Sequence, residues 1–255
     1  KFKQKLQNMG IGVFLHYELQ NYTNDLDLLV SDKGYGKQDY VDTGKKIVVV
    51  TAPGPGSGKF SFCMAQIYND RKRGVKSGFA KFETFPVWNL GLDHPLNVAY
   101  EAATADIGDY NVVDPFHLKE YGITATNYNR DVENFTIMKR IIDKIVDRND
   151  LMVNIRSPTD MGVNMIKEGI IDDNIVCEAS KEEIARRYFR YQREFVEGDT
   201  LHDTLNRMKK IMRRVGVHLE DRSVVKPARI AAEDARKRKD EGKGYKDVFC
   251  GTAIE

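Results

Sequence analysis

The stretch IVVVTAPGPGSGK, Ile47 to Lys59, opens on a continuous β-branched run and ends in three spaced glycines and a lysine. Such a run reads as a strand buried on both faces of a parallel sheet. Glycines at 54, 56 and 58 let the backbone take positive φ and bring successive N–H groups close to an anion. A helix starting at Gly58 adds the partial positive charge of its N-terminus. That helix is expected to run to Arg73, because Phe60, Cys63, Met64 and Ile67 fall at helical spacing and Gly74 supplies a stop. Strand, tight loop and helix point to a phosphate loop formed by Gly54, Gly56, Ser57, Gly58 and Lys59, with the Lys59 ammonium on the outer phosphates. Its expected ligand is ATP, another nucleotide or a related small phosphorylated compound. The alternative is a Gly/Pro-rich turn that only connects strand to helix.

The loop departs from the Walker pattern G-x-x-x-x-G-K-[S/T] at two positions. Pro53 stands where the first glycine belongs, and Phe60 where a Mg²⁺-binding hydroxyl belongs. Ser61 comes one residue late, which along a helix turns the side chain by about 100°. Phosphate binding is therefore better supported than a Mg²⁺-dependent reaction, and no metal ligand set is assigned.

Outward from the loop, Ile11–Tyr17 (IGVFLHY) reads as a second buried strand. Asn24 caps a short helix through Val30, which SDKGYGK breaks. Gly78–Phe85 alternates like a strand, Pro95 opens a helix through Ala105, and Tyr110–Val113 reads as a strand end ahead of Asp114. From Asp131 the period turns helical, with Val132, Phe135, Met138, Ile141, Ile142 and Ile145 on one face. Ser180 and Glu183 form a capping box for a helix to about Val196, and a further helix spans Leu201–Val215 before Gly216. A charged helix is expected over Lys226–Lys246. The fold class expected is α/β, a mostly parallel sheet with helices on both faces and a P-loop-like strand-loop-helix, followed by a smaller mainly helical region. The boundary falls near Asp150, giving an α/β phosphate-loop domain over 1–150 and a mainly helical domain over 151–255.

Composition narrows the partners. The chain has 255 residues, with 40 Lys+Arg against 38 Asp+Glu and a formal net charge of +2, so no global field recruits nucleic acid or an anionic membrane. The basic run Lys237–Lys239 reads as a solvated helix end. Cys63, Cys177 and Cys250 form no CxxC pair, so spacing gives neither a zinc knuckle nor a disulfide framework. Cys63 lies on the apolar helix face and is not read as a nucleophile. No apolar run approaches the roughly 18 residues of a membrane span, and a cytoplasmic protein is expected. The opening Lys1 and the closing GTAIE lead to the expectation of a chain that continues at both ends.

Candidate ligand groups gather after the loop. In an α/β sheet the carboxyl ends of strands present binding residues, which singles out Asp114 and His117 in the DPFH turn as acid, base or metal ligands. Asp106, close to a helix end and unfavourable for its dipole, joins them as a catalytic candidate. Glu83, Arg130 as a bidentate phosphate clamp, and Thr159, Asp160 and Asn164 in the turn SPTDMGVN are candidate substrate contacts. Capping, turn formation and solvated surface are the plain alternatives for each. Trp88 reads as core rather than as a base-stacking platform.

The stretches VVVTAPGPGSGK, GVKSGFAKFETFPVWNL, HPLNVAYEAATAD, DPFHL, NYNRDVE and SPTDMGVN, with weaker EASKEEIARRYFRY and EDRSVV, resemble the prokaryotic proteins of domain of unknown function 1846. The resemblance covers nearly the whole chain. It implies a longer protein and an apolar residue after the loop lysine, as Phe60 is here, but it assigns no reaction. Two functions remain open. One is a nucleotide-dependent phosphoryl or nucleotidyl transferase or a ligase. The other is a non-catalytic sensor of a phosphorylated metabolite, in which the helices after Asp150 couple occupancy to homo-oligomerisation.

Overall fold

The computed structural model describes residues 1–19, 24–54, 56–82 and 85–254. In chain order the elements are α1 (Phe2–Asn8), α2 (Leu26–Leu29), α3 (Lys59–Lys72), β1 (Lys81–Phe82), α4 (Pro95–Ala103), β2 (Asn111–Val113), α5 (Pro115–Tyr121), β3 (Thr126–Tyr128), α6 (Asn129–Ile145), β4 (Gly162–Val163), α7 (Asp173–Glu197), α8 (His202–Arg214) and α9 (Val225–Arg238). The chain is α/β, rich in helix and with little sheet. It divides into two compact units, one formed by Lys1–Lys81 with Glu133–Met161, the other by Phe82–Val132 with Gly162–Glu255. Among the described residues no helix is long and apolar enough to cross a membrane.

The first unit buries Leu26, Leu29, Tyr35, Met64, Ala65 and Ile67 from α2, α3 and the turn between them, and Phe135, Ile141 and Ile142 from α6. The α3 face expected from periodicity is present, with Met64 and Ile67 enclosed and Phe60 and Cys63 half-buried. Polar side chains on α3 then tie down the preceding chain. Asn69 Nδ2 donates to Tyr35 O at 3.0 Å, and Gln66 spans Asp39 O and Val41 N. Gly34 is required by space, since a Cβ there would lie 2.1 Å from the Leu29 carbonyl oxygen.

The two strands expected in this unit form no ladder among the described residues. Ile11–Tyr17 runs beside Gln38 and Asp39 and takes its hydrogen bonds largely from their side chains. Tyr17 N donates to Gln38 Oε1 at 2.6 Å, Gln38 Nε2 to Tyr17 O at 2.9 Å, and Leu15 N to Asp39 Oδ2 at 2.6 Å. A glutamine amide thus stands in for a neighbouring strand's peptide. Ile47 and Val49 are each 85% exposed, so the β-branched run that reads as doubly buried lies open. The mostly parallel sheet is therefore absent from the described residues, because neither run meets a second strand.

In the second unit α4, α7 and α8 pack around Val98, Ala102, Ile184, Tyr191, Met208 and Ile211. Fully buried Asn97 clamps the backbone at Val87, accepting from its N–H at 2.6 Å and donating to its carbonyl at 3.0 Å. Glu101, also buried, receives Arg214 in a bidentate pair at 2.7 and 3.3 Å. The strand expected before Asp114 is present as β2, and it pairs antiparallel with β3, Val112 opposite Asn127. The twelve-residue gap between them holds only the short α5, a connection at the lower limit for a parallel crossover.

The capping box expected at Ser180 and Glu183 is not where the helix starts. Asp172 caps α7, its Oδ1 accepting from Asn174 N at 3.0 Å and Ile175 N at 3.4 Å. Ser180 lies inside the helix, buried, with Oγ on Val176 O at 2.6 Å, and Glu183 is bound by Arg186 and Arg187. Asp172 offers the same chemistry two turns earlier, and no breaker separates it from Ser180.

Candidate functional site

Gly58 is the N-cap of α3 and takes φ 80°, and Gly56 takes φ 69°, so both use the left-handed region that the sequence expected glycine to supply. A Cβ at either would meet nothing within 4 Å, which leaves backbone conformation as the reason for glycine. The turn is closed by the Ser57 hydroxyl, which donates to Gly54 O at 2.5 Å and accepts from Gly54 N at 3.3 Å. Lys59 folds back over the turn, its Nζ 3.0 Å from Gly54 O. Among the described residues no acceptor takes the backbone N–H groups of Gly56, Ser57, Gly58 or Lys59, and all four residues are exposed. Phe60, where a metal-binding hydroxyl would be, packs edge-on against Phe79 with ring centroids 5.6 Å apart. Burial pushes the Cys63 thiol up, in keeping with its place on the apolar face.

The other sequence candidates occupy several places. In the second unit, Asp114 is fully buried and caps α5, accepting from Phe116 N and His117 N at 3.0 Å each. His117, on the first turn of that helix, packs its ring against Trp88 and Tyr121, with centroids 5.8 and 4.7 Å away. Asp106 is exposed and accepts from the Tyr191 hydroxyl at 3.1 Å. Burial, and then the Asp106 charge, push that phenol up to about 12. Arg130 pairs with buried Asp109 and lies over the Tyr128 ring. Asn164 donates to Pro86 O at 3.1 Å and accepts from Ile166 N. In the first unit, Asp160 accepts from Arg156 N and Ser157 N at 2.8 and 2.9 Å, with Thr159 beside it in one 3₁₀ turn. Glu83 lies outside the described residues. Asp114 and His117 thus share α5, and Thr159 and Asp160 share a turn, as their spacing implies.

One grouping escaped sequence reasoning. His94, at the N-cap of α4, meets Asp173 and Cys177 of α7. The histidine is 79 and 83 residues from its partners, and no motif spacing links them. The only local signal is Asp173 and Cys177 four apart, which puts them on one helix face.

Comparison with known proteins agrees with the motif pattern. The family described as "Domain of unknown function DUF1846, N-terminal" matches residues 1–216. A UPF0371 protein of Fusobacterium nucleatum subsp. nucleatum is 49% identical over 254 residues, covering 100% of this chain and 50% of that protein. UPF0371 proteins of Clostridium botulinum (strain Kyoto / Type A2) and Clostridium tetani (strain Massachusetts / E88) are 51% and 49% identical over 237 and 244 residues, covering 93% and 96% of this chain and 47% and 48% of theirs. The chain spans about half the length of the curated relatives it matches.

Proposed function

This chain belongs to the DUF1846 family, and we propose that its Gly54–Lys59 loop binds the phosphate groups of a nucleotide or another small phosphorylated ligand. The observation that carries this reading is the row of N–H groups from Gly56 to Lys59, without acceptors among the described residues, at the head of a fourteen-residue helix. Unmet donors, the helix dipole and the Lys59 ammonium all favour an anion at that end. Ligand phosphate would take Lys59 Nζ away from Gly54 O and exchange a neutral acceptor for a charged one. On this reading the runs Ile11–Tyr17 and Ile47–Thr51 serve as strands of a mostly parallel sheet that sets the loop at a strand's carboxyl end, and the protein works in the cytoplasm.

Catalysis is a further step in the proposal. A transferase or ligase needs a group that moves a proton or holds a metal, and Asp106, Asp114 and His117 are the candidates, with Glu83, Arg130, Thr159, Asp160 and Asn164 to contact substrate. One observation favours the non-catalytic sensor instead: Phe60 is turned into aromatic packing, so the usual Mg²⁺ anchor is missing beside the lysine.

Calorimetry on the full-length protein with ATP, GTP and pyrophosphate, each with and without Mg²⁺, tests the binding step. Binding of at least one of these, weakened about tenfold or more in Lys59→Ala, is the expected result. No binding, or binding that Lys59→Ala leaves unchanged, overturns it. Mass spectrometry of long incubations then separates the two functions, because a sensor returns its ligand intact and an enzyme does not.

A further inference from the structure

His94 is fixed from one side by α4. Its Nδ1 accepts from Leu96 N at 3.2 Å, which turns Nε2 outward, and its side chain is only 14% exposed. Facing it is the first part of α7, held in place by the Asp172 cap and by the core that α4 shares with α7. Asp173 and Cys177 stand one turn apart there, so their side chains converge on Nε2. Three donors of different chemistry meet: an imidazole nitrogen, a carboxylate oxygen and a thiol sulfur.

The distances among them discriminate between readings. Asp173 meets His94 Nε2 through Oδ1 at 3.0 Å and through Oδ2 at 3.3 Å, Cys177 Sγ lies 3.7 Å from Nε2, and Sγ lies 3.8 Å from Oδ2, so the triangle is that of Nε2, Oδ2 and Sγ. Tetrahedral zinc, with bonds of about 2.05 Å to nitrogen, 2.1 Å to oxygen and 2.3 Å to sulfur, requires ligand separations of about 3.4, 3.6 and 3.6 Å. Each observed edge agrees to within about 0.2 Å of that triangle. A nucleophilic Cys-His-Asp arrangement does not fit the same atoms. Asp173 and Cys177 approach the same ring nitrogen, whereas a triad needs the acid on one nitrogen and the nucleophile on the other.

We propose that His94, Asp173 and Cys177 form a binding site for a divalent transition metal, with Zn²⁺ the best match. Imidazole and thiolate donors select zinc over magnesium or calcium. Three protein ligands leave the fourth tetrahedral position for water or a small ligand, on the side where Asp173 is 58% exposed. Metal binding replaces the thiol proton and the contact between the ring and Asp173. A neutral imidazole bound through Nε2 carries its proton on Nδ1, so the Leu96 N–H bond that orients the ring in the metal-free chain is broken on binding and the ring turns slightly so that the two N–H groups part. The site uses no residue of the Gly54–Lys59 loop and stands or falls separately from it.

Cobalt titration tests the proposal, on full-length protein stripped with chelator and carrying Cys250→Ser to remove the exposed thiol. Expected are one Co²⁺ per chain, a sulfur-to-cobalt charge-transfer band in the near ultraviolet, tetrahedral d–d bands, and displacement of Co²⁺ by Zn²⁺. Cys177→Ser should abolish the charge-transfer band, and Asp173→Asn should weaken binding by about tenfold or more. Asp173 caps no helix, so that variant keeps its far-ultraviolet circular dichroism while losing affinity. Absence of the band, or Cys177→Ser and Asp173→Asn binding Co²⁺ as the parent does, overturns the site.

Discussion

Tyr191 joins burial to a titration that can be followed. It is 2% exposed, and its hydroxyl contacts Asp106 Oδ1 at 3.1 Å and Ala103 O at 3.2 Å. Its folded pKa of about 12 stands above the value near 10 of an unfolded chain. The folded state holds the phenolic proton more tightly. The resulting stability is fully present below about pH 10 and is lost as the pH rises from about 10 to about 12. The full shift corresponds to about 2–3 kcal/mol. Tyr191→Phe should cost about 1 kcal/mol at neutral pH through the lost hydrogen bonds. By about pH 11.5 the parent should have lost about 2 kcal/mol that the variant keeps, so the order of stability reverses. Denaturant melts of both proteins at pH 7, 9, 10.5 and 11.5 check this, and a gap between them that does not change with pH would contradict it. Asp114 illustrates a different limit of sequence reading. A buried carboxylate after a strand reads equally as a catalytic group and as a helix cap, and only the two 3.0 Å bonds from the α5 amides to its Oδ1 show that it caps that helix.

At the scale of elements, three helices were legible to within two residues. The expected spans 58–73, 95–105 and 201–215 became Lys59–Lys72, Pro95–Ala103 and His202–Arg214. Periodicity and glycine stops act within a few residues of themselves, so the sequence carries them directly. Where α7 starts was misread, since Asp172 and Ser180 carry equivalent capping chemistry. The two placements predict opposite mutant behaviour. Asp172→Ala should cost about 1 kcal/mol, the usual loss of an N-cap. Ser180→Ala, inside the helix, should change stability by about 0.5 kcal/mol or less, because its hydroxyl returns to a carbonyl already used by the helix. Urea unfolding of the two variants decides the matter, and a larger loss for Ser180→Ala would restore the later start.

For the whole molecule, the decisive contrast is between the apolar runs and their surroundings. Ile47 and Val49 would each lose about 2 kcal/mol or more on replacement by lysine if they lay between two layers of helices. At 85% exposure the double variant Ile47→Lys with Val49→Lys should change the stability of the 255-residue chain by about 0.5 kcal/mol or less and should bind less of a hydrophobic-surface dye. A loss above about 2 kcal/mol would mean that the run is covered.

From sequence alone came the α/β class, most helix spans, the left-handed glycines at 56 and 58, and the family to which the chain belongs. All rest on information carried by neighbours in the chain: side-chain period, positive φ, and motif order. Tertiary structure alone decided that β2 meets β3 antiparallel, that Gln38 and Asp39 satisfy Ile11–Tyr17 in place of a strand, and that Glu101 closes on Arg214. It also brought His94 to Asp173 and Cys177. The physical reason is the same in each case: these contacts join residues from 13 to 113 positions apart. Which distant partner a donor or a strand finds depends on how the packed helices place it, a choice that no local pattern encodes.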